Sequence, residues 1–139
     1  MHIEITGLET LAEVRPSDCL ATLIREAAAR ENQPLDGGVL LAVAQKVVSK
    51  AEGAVVNLRE VRPSAAAEAW AAELGKDPRL VEVILRQSRR IVKMDRGVLI
   101  TETRHGFICA HAGVDQSNTG GEELATVLPE DPDRSAARL

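Results

Sequence analysis

Hydrophobic positions change their period along this chain, and the changes mark out its elements. Ile3 and Ile5 alternate with Glu4 and Thr6 up to Gly7, which predicts a short strand. Pro16-Ser17-Asp18 then offers capping side chains. Leu20, Leu23, Ile24, Ala27 and Ala28 follow on one stripe of a helix reaching about Arg30. Asp36-Gly37-Gly38 is a turn, and the continuous apolar run 39–44 (VLLAVA) predicts a strand buried on both faces. A polar, basic stretch, Gln45-Lys46-Val47-Val48-Ser49-Lys50, comes directly after it, and Ala54 to Leu58 is the next strand candidate.

Pro63-Ser64 opens an alanine-rich helix through Leu74, with Gly75 placed to end it. Asp77-Pro78 opens another, with Leu80, Val81, Ile84 and Leu85 as its apolar face and Arg86, Arg89 and Arg90 towards its end. From Ile91 the texture turns to short strands at 91–94, 98–103 and 107–112. They are joined by Asp95-Arg96-Gly97 and Arg104-His105-Gly106, which predicts a β-meander. The fold class expected is α/β (mixed α+β): a mixed β-sheet with packed helices and a C-terminal β-meander, in one domain over residues 1–139. A last helix start, Leu128 to Asp133, leads into Ser135-Ala136-Ala137-Arg138-Leu139. A helix of so few residues is marginal in water, so the chain is expected to be part of a longer protein.

Composition narrows the chemistry. With one Trp, one Phe and no Tyr, the core must be built from Ala, Val, Leu and Ile, and base stacking on aromatic platforms is excluded. A net charge of −4 argues against nucleic acid and anionic membranes as partners, so any anionic ligand needs a local basic cluster. Cys19 and Cys109 make neither a zinc spacing nor a disulfide framework, which fits a reducing, cytoplasmic setting. No apolar run approaches the ~20 residues of a membrane span.

Three groups of residues bear chemistry. Gln45, Lys46, Ser49 and Lys50 lie just beyond a strand end, where α/β proteins collect ligands. A lysine ammonium about 4 Å from a phosphate oxygen gains roughly 4 kcal/mol at an effective dielectric near 20. From spacing alone, however, this stretch reads as an ordinary solvated loop. Asp115, with Ser117 and Asn118 behind it, offers hard oxygen ligands for Mg²⁺ or Mn²⁺, although local sequence alone favours an Asx-type turn. A carboxylate facing polyphosphate would be repelled about as strongly as a lysine is attracted, so the first reading requires a bridging divalent ion. Cys109 and His111 would share one face of a strand, as metal ligands can, but a buried Cys beside a hydrogen-bonded His is much commoner.

In order along the chain, AQKVVSKAEGAVVNL (44–58), GKDPRLVEVILRQSR (75–89), LITETRHGFICAHAGVDQSN (99–118) and LPEDPDRSAARL (128–139) resemble the N-terminal half of the coenzyme F420-0:L-glutamate ligase family. The combination of VSKAEG with ETRHGF and AGVDQSN is highly specific. The resemblance implies γ-linked addition of L-glutamate to coenzyme F420-0, a deazaflavin. GTP would be the co-substrate and the reaction would pass through an acyl phosphate. It also implies Mg²⁺ or Mn²⁺, a monovalent cation such as K⁺ in some members, and a homodimer when full length. By the same resemblance, Gly7, Leu8, Glu9, Thr10, Gln45, Lys46, Lys50 and Asn118 would touch GTP, and Asp115 would hold the metal. Lys50 and Asp115 are the residues expected to carry catalysis.

The sequence departs from the family pattern at three places. The loop after Gly7 is longer than usual, and His111 stands where Asn is common. The family's second half, with an Asp-Thr metal motif, a Gly/Arg-rich segment and a late nucleotide-binding loop, lies beyond Leu139. Activity is therefore expected to need that half. The alternative expectation is a non-catalytic nucleotide- or partner-binding fragment, or one half of a split ligase.

Overall fold

The computed structural model describes residues 2–117 and 123–139. Its helices are α1 (Leu20–Arg30), α2 (Gln45–Ala51), α3 (Ala65–Leu74), α4 (Pro78–Gln87) and α5 (Pro132–Ala136). Its strands are β1 (Val55–Asn57), β2 (Ser88–Asp95), β3 (Val98–Thr103), β4 (Ile108–Ala110) and β5 (Leu124–Thr126). The mixed α+β class and the meander are both present. The strands, however, separate into two antiparallel sheets, β1-β5 and β2-β3-β4, where the sequence pointed to one mixed sheet.

The capping chemistry explains the central elements. Ser64 accepts from the Ala67 amide at 3.2 Å, and its own amide and hydroxyl both donate to Glu82 of α4. Gly75 ends α3 with φ 64°, a left-handed conformation open to glycine without penalty. Asp77 caps α4 at 2.8 Å, with Pro78 in its first turn. Arg96 and Gly97 form the two-residue β2–β3 loop with φ 47° and 77°, both positive as a type I′ hairpin turn requires.

Helix α4 is the shared wall of the core. Val83 packs with Leu58, Ala125 and Val127 beneath the β1-β5 sheet. Val81 meets Ala67, Ala71 and Leu74 of α3, and Ile84 meets Leu99 and Ala112 behind the meander. A separate cluster joins α1 to α2 through Val14, Leu20, Ile24 and Ala51, with Leu8, Val47 and Val48 packed on it. As composition requires, these cores are aliphatic, and Trp70 is only half-buried.

Four expectations are corrected. Residues 3–7 carry no regular structure, because among the described residues no strand lies alongside to take up their backbone groups. The same holds for 39–44, whose Leu40 is 87% exposed rather than buried on both faces. Residues 45–50 are helical and not a loop: Val47, Val48 and Ala51 form a short apolar stripe that packs on α1. The last meander strand stops at Ala110, because His111, Ala112 and Gly113 turn the chain with φ of 52°, 55° and 72°.

Candidate functional site

That left-handed turn builds the site. Three successive residues with positive φ swing the chain out of the meander and across to β5. There Asp115 pairs with Thr126 by reciprocal backbone hydrogen bonds of 3.0 and 2.8 Å. Glycine suits this position: a Cβ at Gly113 would lie 2.7 Å from Cδ2 of Leu128, so that side chain would have to shift. Val114 is drawn into the core, and Asp115 is left at the surface of the sheet.

Helix α2 brings the lysine. Lys46 Nζ lies 3.1 Å from Asp115 Oδ2 and donates to Ser117 Oγ at 2.6 Å. Ser117 in turn donates its amide and hydroxyl to the two Asp115 oxygens, at 2.9 and 2.6 Å. The Asx-type turn is thus formed, and Asp115 is also paired with a cation. The Ser117 hydrogen bonds, followed by Lys46, hold the Asp115 carboxyl below its ordinary range, so it is ionised at neutral pH.

One face of α2 is fixed to the strand end. Ser49, fully buried, donates to the Val127 carbonyl at 2.6 Å. Gln45 Nε2 donates to Ser49 Oγ at 2.5 Å and to the same carbonyl at 3.1 Å. Gln45 is therefore bound into the fold as well as beside the site. Lys50, one turn beyond Lys46, is half-buried, and its ammonium has no partner among the described residues.

The loop 7–10 is held elsewhere. Thr10 donates its amide and hydroxyl to Glu31, both at 2.7 Å, and its carbonyl accepts from Arg30. Leu8 packs on the α1–α2 cluster, while Gly7 and Glu9 are exposed. No hydrogen bond from this loop reaches Lys46, Lys50 or Asp115. Asn118 lies outside the described residues.

Sequence reasoning missed two features. The first is Ser117 as the bridge between lysine and carboxylate. The second is the left-handed turn itself, signalled only by Gly113. The Cys109–His111 pairing is corrected, since His111 has left the strand that would have aligned the two. Burial pushes the Cys109 thiol up and, ahead of the Lys76 charge, pushes the His111 imidazole down. Among the described residues no group of three or more His, Cys, Asp or Glu side chains converges on a point.

An ionised carboxylate beside a hydroxyl suits a hard divalent ion as one ligand. Mg²⁺ commonly takes one or two protein carboxylates and completes its shell with water and phosphate oxygens. Asp115 fits that part, with Ser117 beside it.

Residues 9–139 match the family model described as F420-0:Gamma-glutamyl ligase. The chain belongs to this ligase family. A coenzyme F420:L-glutamate ligase of Methanopyrus kandleri is 50% identical over 139 residues, covering 100% of this chain and 52% of its own length. The corresponding ligase of Methanothermobacter thermautotrophicus is 42% identical, covering 100% of this chain and 55% of its own. That of Halobacterium salinarum is 40% identical, covering 96% and 52%. The chain thus spans about half the length of the curated ligases it matches. The matched half holds both α2 and the turn that presents Asp115, so Lys46, Lys50 and Asp115 all fall within the shared region.

Proposed function

We propose that this chain supplies the phosphate- and metal-binding part of a ligase that joins L-glutamate, through a γ-linkage, to coenzyme F420-0 with GTP as co-substrate. The observation that supports it is the Lys46–Asp115 pair, assembled from α2 and the left-handed turn within the region shared with the ligases. In this reading the carboxylate of the coenzyme attacks the γ-phosphorus of GTP, GDP leaves, and an acyl phosphate forms. The amine of glutamate then attacks the acyl carbon, inorganic phosphate leaves, and the amide bond and a released proton remain.

This chain's residues have defined parts in that scheme. Lys50, whose ammonium has no partner among the described residues, neutralises phosphate oxygens as charge builds on them. Lys46 balances Asp115 until substrate arrives and then turns towards phosphate. Asp115 holds Mg²⁺ or Mn²⁺, which when bound supplies further positive charge to the phosphoryl group. Gln45 and Ser49 keep α2 in register with the Asp115 turn. The loop 7–10 closes on the nucleotide, Asn118 adds a further contact to it, and a monovalent cation such as K⁺ assists. The complete enzyme works in the cytoplasm as a homodimer.

The test is mass spectrometry of the coenzyme after incubation with a full-length ligase containing this sequence, GTP, Mn²⁺ and L-glutamate. A gain of one or more glutamyl residues is expected. An unchanged coenzyme mass overturns the reading. In the same protein Asp115→Ala and Lys50→Ala are each expected to lower turnover about a hundredfold or more, and undiminished rates would refute the assigned roles.

A further inference from the structure

Among the described residues, the strand-like run 39–43 pairs with no strand, and β4 is paired along one edge alone. In residues 39–43 Val39, Leu40 and Leu41 are 48%, 87% and 42% exposed, and this run carries neither charge nor proline. Among the described residues, strand β4 pairs with β3 on one side only. Its sequence, Ile108-Cys109-Ala110, also lacks the charges and prolines that protect a free edge, and Ile108 is 60% exposed. Leu41 and Val43, with Phe107 just before β4, line an apolar cavity of about 350 Å³ that Leu128, Pro129 and residues of α5 complete.

Such a surface is unstable in water unless it is covered. The relatives state what length of polypeptide is available to cover it. They match this chain over its whole length and carry nearly as much sequence again outside the match. Asp115, moreover, belongs to no group of three or more His, Cys, Asp or Glu side chains among the described residues that could hold a metal ion. We propose that the cavity lined by Leu41, Val43 and Phe107, together with the exposed run 39–43 and the strand edge of β4 that follows Phe107, is the docking surface for the remaining half of the ligase fold. That half adds extended backbone to 39–43 and to β4 and inserts apolar side chains into the cavity. This proposal rests on family membership and not on the glutamate-ligating reaction, and its test measures no turnover.

The experiment mixes the 139-residue chain with a separately produced polypeptide covering the unmatched half of the Methanopyrus kandleri ligase. Light scattering after gel filtration is expected to give a 1:1 complex. Hydrogen–deuterium exchange is expected to slow about tenfold or more at 39–43 and 108–110, as paired backbone requires. The double variant Leu40→Asp, Ile108→Lys is expected to bind about tenfold or more weakly, while its thermal midpoint alone is unchanged because both side chains are exposed. No complex, or a complex indifferent to the two charges, overturns the proposal. Self-association of the chain alone, abolished by the same charges, overturns it in favour of a second copy. Where the separate half proves insoluble, the measurement is made on one polypeptide in which it follows Leu139. There, exchange at 39–43 no slower than in the 139-residue chain overturns the proposal.

Discussion

Lys46 and Asp115 are joined twice, directly with Nζ 3.1 Å from Oδ2 and through Ser117 Oγ, which lies 2.6 Å from each. The carboxyl's folded-state pKa is depressed below its ordinary 3.8, so its contribution to stability is present above that value and is lost as pH falls through the folded one. Asp115→Asn is expected to lower the urea midpoint at pH 7 by an amount worth about 1 kcal/mol or less, since both side chains are about one-third exposed. The gap to the native protein is expected to stay constant down to about pH 5 and to close below about pH 4. Urea titrations across pH check both the sign and the window.

Ser49 is the buried hinge pin of α2. Ser49→Ala removes a hydrogen bond to the Val127 carbonyl and one from Gln45. It is expected to cost about 1–2 kcal/mol in chemical denaturation. Restoring a hydroxyl with Ser49→Thr is not expected to recover it fully, because a methyl group added at a fully buried position overpacks it.

Gly113→Ala carries two penalties at once, a left-handed backbone and a Cβ within 2.7 Å of Leu128. Together these are expected to destabilise by about 2–4 kcal/mol, read as a lower thermal midpoint. Leu128→Ala introduced alongside is expected to relieve the steric part only, leaving the variant less stable than Leu128→Ala alone.

Glu82 is nearly buried, accepts from the Ser64 amide and hydroxyl at 2.9 and 2.6 Å, and pairs with Arg86 at 2.8 Å. The Ser64 hydrogen bonds, then Arg86, hold its carboxyl below the ordinary 4.5. Glu82→Gln is expected to lower stability by about 1–3 kcal/mol at pH 7, and the difference is expected to shrink as pH falls below the ordinary 4.5 and through the lower folded value. Circular dichroism melts across that pH range settle it.

What was legible in the sequence follows the range of the interactions involved. Helix α1 was readable by its stripe alone: its N-cap is Cys19, and neither Ser17 nor Asp18 caps it. Helices α3 and α4 were readable because stripe and cap lie within a dozen residues, as in Ser64 with Gly75 and Asp77 with Pro78, although α4 ends at Gln87 and the expected terminal Arg89 and Arg90 belong to β2. The Arg96-Gly97 hairpin was readable for the same reason. The division into two sheets was not, because β1 meets β5 across some seventy residues of sequence and nothing local in either strand names its partner. Helix α2 was masked by its polar residues, since its apolar stripe has meaning only against α1. For the candidate site, Lys46 and Asp115 were both legible as chemistry. Their meeting was not, because it depends on a left-handed turn whose only local mark is Gly113. Strands at 3–7 and 39–44 were read from pattern alone, and a pattern cannot supply the neighbour that a strand needs.

The four apolar clusters are not equally connected. Three are chained together by residues of α4 and its neighbours: Leu80 and Val114 belong to two of them, and Trp70, Leu85 and Met94 link the third. The α1–α2 cluster shares no residue with any of these. Lys46 therefore sits on one packed cluster and Asp115 beside another, and the hydrogen bonds of Gln45 and Ser49 to the Val127 carbonyl cross the seam between them. An opening along that seam would part the lysine from the carboxylate without unpacking either cluster.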